Sequence, residues 1–136
     1  MSSRGKRLRL GALVAFGVAL VAVVVLSLAP ARYTPSMDEG NRVGHLAAYG
    51  VLALLGGVAA TRWMTWVIPL ALVLLGAALE LAQGFVVSRV ADAGDAVANA
   101  LGVTVGSLVA IGVRRLARQR DTDEARRRSP PGPEAG

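Results

Sequence analysis

Whatever chemistry this chain can perform rests on a small set of polar residues set among apolar ones: Arg42, His45, Tyr49, Glu80, Gln83, Arg89, Asp92, Asp95 and Asn99. Their types suggest three uses. Arg42 and Arg89 would grip a phosphate or carboxylate, since a guanidinium makes paired hydrogen bonds to such groups. Glu80 or Asp95 would serve as a general base, with His45 as acid or base. Glu80, Asp92 and Asp95 offer a loose set of oxygens for a divalent cation, and no cofactor is evident from the residues. Much is excluded. The chain has no cysteine, hence no thiol nucleophile, disulfide or zinc–sulfur site, and its single histidine rules out a two-histidine metal site within one chain. Neither a Gly-x-Ser-x-Gly nucleophile elbow nor a phosphate-cradling Gly-x-x-x-x-Gly-Lys loop occurs.

Four apolar blocks must position these residues. Of the 136 residues, 54% are hydrophobic, and they concentrate at about Leu10–Ala29, Val43–Ala60, Trp66–Ala82 and Ala96–Val113. Each block is close to the roughly 20 residues that a helix needs to cross a bilayer. The blocks are rich in alanine and leucine and lack strict alternation, which disfavours strands. Gly56, Gly57, Pro69 and Gly76 do not break the assignment, because membrane helices accept both residue types. Ala29-Pro30-Ala31 loosely mimics a signal-peptide cleavage site. The preceding apolar run is longer than the roughly 7–15 residues of a signal core, and a proline sits inside the site, so the first block reads as a retained helix. The fold class is therefore an all-α, integral membrane bundle of four spans.

The net charge of +6 and pI near 11.3 arise from residues flanking the spans. With no basic patch interleaved with aromatics, they point to a membrane surface instead of nucleic acid. Twelve of the fifteen basic residues lie in the N-terminal arm, at Arg62 or after Val113, whereas Arg32, Arg42 and Arg89 fall on the opposite side. The positive-inside rule then places both termini in the cytoplasm, and Trp63 and Trp66 at the inner interface. Residues 1–9 form a basic arm, 10–113 the membrane domain, and 114–136 a basic tail with too little apolar surface to order itself.

In this topology His45, Glu80, Gln83 and Asn99 all fall within about 10 Å of the outer interface. Arg42, His45, Tyr49 and Gly56 share one face of the second span, Gly76, Glu80 and Gln83 one face of the third, and Asp95, Asn99, Gly102 and Gly106 one face of the fourth. Three helices thus bring polar stripes to one depth, while Gly76, Gly102 and Gly106 allow close helix packing. The arrangement implies a polar pocket at the outer leaflet, with the first span as a wall. A plainer reading has the stripes only holding helices together, as polar groups in membranes do at about 0.6 kcal/mol per hydrogen bond. That suits Gln83 and Asn99. It suits Glu80 less, because an ionised carboxylate inside a span costs about 2.5–3.5 kcal/mol at midplane unless paired.

The motifs resemble those of the VanZ-like family. Asn41-Arg42-x-x-His45-x-x-x-Tyr49 is similar to that family's Asp-Lys-x-x-His-x-x-x-Tyr, and Glu80-x-x-Gln83 to its Glu-x-x-Gln. Arg89-x-x-Asp92-x-x-Asp95-x-x-x-Asn99-x-x-Gly102-x-x-x-Gly106 is similar to its Arg, Asp, Asp, Asn, Gly, Gly segment. Two positions depart, Asn41 standing where an acid is usual and Arg42 where lysine is usual; Asp38 or Glu39 is near enough to replace the acid. The resemblance implies a multi-pass protein of the bacterial inner membrane and an antibiotic-resistance theme, the family taking its name from a member associated with teicoplanin resistance. It implies no reaction. Three functions follow as expectations: binding or modulating a lipid-linked cell-wall precursor or glycopeptide, hydrolysis of a lipid-linked substrate within the membrane, or a structural role in which the stripes only pack helices. Besides the lipid bilayer, a homo-oligomeric partner is open.

Overall fold

The computed structural model describes residues 3–29, 38–61, 63–85 and 92–128, with side chains from Gly5 in the first stretch and from Arg42 in the second. Four helices make up its regular structure: α1 (Ser3–Leu28), α2 (Asp38–Ala59), α3 (Met64–Gln83) and α4 (Ala93–Arg128), and no strand occurs among the described residues. Each helix is long and apolar enough to cross a bilayer. Large apolar side chains such as Val18, Leu70, Leu81 and Leu108 stand exposed on the bundle's outside. In water so much exposed apolar surface would drive association, whereas acyl chains cover it at no cost.

Long-range hydrogen bonds define the helix directions. Arg9, early in α1, donates to the carbonyl of Ala59 at the end of α2, at 2.8 Å. Gln83, the last residue of α3, donates to the carbonyl of Ser27 near the end of α1, at 3.0 Å. Arg114 of α4 donates to Gly57 of α2 and to Thr65 Oγ1 at the start of α3. Successive helices therefore run antiparallel. One end of the bundle gathers the starts of α2 and α4 with the ends of α1 and α3, and the other end gathers Arg9, Trp63, Trp66 and Arg114.

The closest helix pair is α2 against α4. A Cβ added to Gly102 would run into the Leu46 carbonyl oxygen, and one added to Gly106 into the Gly50 carbonyl oxygen. Gly50 on α2 faces both glycines, its backbone nitrogen toward Gly102 and its carbonyl toward Gly106. Two backbones thus touch with no side chain between them, the geometry that small residues spaced four apart permit. Around this seam Tyr49, Leu52, Ala53, Leu72 and Val103 form the buried core, and Phe16, Leu20 and Val23 of α1 pack on its flank.

The helices exceed the apolar blocks. α1 begins at Ser3 instead of Leu10, and α2 at Asp38 instead of Val43. The difference is largest at the C-terminus, where the segment after Val113, expected to be unordered, continues α4 as far as Arg128. Extending an existing helix adds a hydrogen bond per residue without a new nucleation cost. Arg, Ala and Glu are good helix formers, and Arg128 pairs with Glu124 one turn earlier. At about 1.5 Å per residue the 36 residues of α4 reach some 54 Å, well beyond a hydrocarbon core of about 30 Å. Its exposed, charged last third projects past the apolar part of the bundle.

Candidate functional site

α2, α3 and α4 bring their polar residues together at the bundle end that holds the start of α2. His45 is the hub. Its Nδ1 is 2.9 Å from Asn99 Oδ1 and 3.8 Å from Glu80 Oε1, and its Nε2 is 3.5 Å from Asp95 Oδ2. An amide oxygen only accepts, so the hydrogen bond to Asn99 makes Nδ1 the donor. Glu80, Asp95 and Asn99 are buried, at 6%, 5% and 2% exposure. Each sits where its helix faces the other two: Glu80 shares the buried face of α3 with Leu72, Gly76 and Leu79, and Asp95 and Asn99 that of α4 with Gly102 and Gly106. One ligand atom from each of His45, Glu80 and Asp95 lies within 4.8 Å of the other two.

Asp92 builds the rim. Its Oδ1 accepts from the Gly94 backbone N–H at 2.7 Å, and its carbonyl accepts from the Asp95 and Ala96 N–H groups, so it caps the start of α4. Its own N–H points at Glu80 Oε2, at 3.4 Å. Its Oδ2 meets Arg42 Nη2 at 3.2 Å, and both side chains are about half exposed. The Gly94 N–H first, and then Arg42, hold the Asp92 carboxyl below the usual carboxylate range. Arg42 lies across Gly94, where an added Cβ would come within 2.7 Å of its Nε. The loose cation set of Glu80, Asp92 and Asp95 is therefore not the one the fold assembles. Asp92 turns to Arg42, and His45 joins Glu80 and Asp95 instead.

The other sequence candidates take different places. Tyr49 is buried on the His45 face of α2, and its hydroxyl has no hydrogen-bond partner among the described residues. Gly76 makes room for it: a Cβ there would come within 3.2 Å of the Tyr49 ring and 3.1 Å of Asn99 Nδ2. Gln83 turns away from the cluster to tie α3 to α1. Arg89 and the side chains of Asp38, Glu39 and Asn41 lie outside the described residues. Arg9 and Arg114, read from the sequence only as basic residues flanking the spans, fasten the opposite end by donating to carbonyls in the last turn of α2. The available signal was their position immediately beside an apolar block, where a guanidinium can reach back to free carbonyls.

The chain matches no family model, no curated protein and no solved structure.

Proposed function

We propose that this is a multi-pass protein of the cell membrane, with both termini in the cytoplasm, that binds an anionic envelope ligand at its outer end. The ligand class is a phosphate- or carboxylate-bearing one, such as a lipid-linked wall precursor or a glycopeptide, in keeping with the VanZ-like motifs. The observation that carries the reading is Arg42 beside the buried His45 cluster. Its guanidinium is about half exposed and is held over the start of α4 by Asp92 through a single Nη2 contact. A guanidinium has five N–H donors, and among the described residues only Nη2 is engaged, which leaves donors to offer a ligand arriving from the surface. The helix N-terminus beneath it adds a favourable partial charge for an anion.

Binding of a fluorescent lipid-linked wall precursor to the full-length protein in lipid nanodiscs tests this. Losing one charge-assisted contact in Arg42→Ala weakens binding about 10- to 100-fold. Unchanged binding by a variant that accumulates normally would refute the proposal. Under a purely structural role Glu80→Gln keeps its hydrogen bonds and leaves both accumulation and antibiotic susceptibility unchanged. A hydrolase reading draws on His45 lying between Glu80 and Asp95. Its signature in the same assay is conversion of the precursor to product, abolished in His45→Gln.

A further inference from the structure

We infer that His45, Glu80 and Asp95 form a binding site for a divalent transition-metal ion, of the Zn²⁺ or Mn²⁺ class. Once Nδ1 donates to Asn99, the other ring nitrogen, Nε2, faces Asp95 Oδ2 at 3.5 Å. A neutral imidazole would then oppose its lone pair to those of a carboxylate. That separation is long for a charge-assisted hydrogen bond, normally about 2.7–2.9 Å. It suits two donors to one ion, each about 2.0–2.2 Å from it. The bond from Nδ1–H to Asn99 is the outer contact that usually fixes the tautomer and ring plane of a metal-binding histidine. Glu80 supplies the third donor, within 4.8 Å of the other two. Both acids are buried and approach the same imidazole, so a doubly charged cation between them offsets the cost of placing two carboxylates side by side.

Tyr49 supplies independent support. It is 2% exposed, and its hydroxyl has no hydrogen-bond partner among the described residues. It lies one turn after His45 on α2, and side chains on a helix lean toward its N-terminus, here toward the cluster. It borders Asn99 through the space left by Gly76 and is within electrostatic reach of Glu80. A buried phenol without a partner is costly. Three protein donors leave coordination positions for water, and a bound water gives the Tyr49 hydroxyl its missing partner. One nitrogen with two carboxylate oxygens favours Zn²⁺ or Mn²⁺ over Ca²⁺ and Mg²⁺, which prefer all-oxygen sets. The inference stands apart from the anionic-ligand reading, because Arg42 takes no part in it.

The test uses the full-length protein in detergent, purified without a histidine tag, stripped with chelator and reloaded separately with Zn²⁺, Mn²⁺ and Co²⁺. Elemental analysis after desalting is expected to show about one ion per chain, and Co²⁺ to give visible absorption bands. Asn99→Ala is expected to weaken affinity by about 10- to 100-fold, as loss of an outer contact does. Glu80→Gln and Asp95→Asn, which preserve shape, are expected to weaken it further while Gln83→Leu, at a side chain turned away to Ser27, leaves it unchanged. Failure of the wild-type protein to retain any of these ions would overturn the inference, as would equal retention by both amide variants. Should those variants not fold, the wild-type melting temperature decides: a rise on adding Zn²⁺ or Mn²⁺ supports the site, and no change with either overturns it.

Discussion

Substituting Gly106 with alanine tests the closest contact in the bundle. The added methyl would run into the Gly50 carbonyl oxygen while also coming within 2.9 Å of the Gly50 carbonyl carbon and 3.0 Å of Ala53 Cβ. Two of these atoms are backbone and cannot swing aside, so α2 and α4 must separate by about 1 Å to restore ordinary contact. Overpacking of this kind costs about 1–3 kcal/mol. The same displacement stretches the 2.9 Å contact between His45 and Asn99 beyond hydrogen-bonding range, adding about 0.6 kcal/mol. Gly112→Ala is the matched control. It lies on the same helix with nothing within 4 Å of an added Cβ, and alanine is the better helix former by about 1 kcal/mol. Unfolding of both variants in mixed detergent, followed by circular dichroism, is expected to show Gly106→Ala destabilised by about 2 kcal/mol and Gly112→Ala neutral or stabilised. Equal stability of the two would refute the argument that backbone contact sets the α2–α4 distance.

Further outcomes concern the bundle ends. Asp92 has a lowered carboxyl pKa in the folded protein, so its contribution to stability is complete above the ordinary carboxylate pKa and is lost as pH falls through the lowered value. Asp92→Asn, which still caps α4, should therefore be less stable than the wild type at pH 7 and should converge with it in acid; a pH-independent gap in unfolding midpoints would contradict this assignment. Gln83→Leu removes the hydrogen bond to Ser27 and is expected to cost roughly 0.6–1.7 kcal/mol in the same unfolding assay, without altering binding at the His45 cluster.

Helical character, the long apolar helices and the burial of Glu80, Asp95 and Asn99 could be read from the residues alone. Those properties follow from local quantities: apolar run length, the absence of alternation, and the cost of placing Glu80, Asp95 and Asn99 against lipid. Glycine spacing also marked Gly102 and Gly106 as a surface that another helix could approach closely. Helix ends were less legible, because hydrophobicity stops at Val113 whereas hydrogen bonding continues to Arg128.

How the polar residues pair is a property of the assembled bundle. Spacing places Glu80, Gln83 and Gly76 on one face of α3, yet the fold sends Gln83 to Ser27 on α1 and Glu80 to His45 on α2. Likewise Asp92 and Asp95 are three residues apart on one chain segment, but capping α4 turns the first out to Arg42 and the helix turns the second inward to His45. Such pairings depend on the relative rotation and separation of helices far apart in sequence, which are set by how closely Gly50, Gly102 and Gly106 let two backbones meet. Periodicity within a single helix carries no information about that distance.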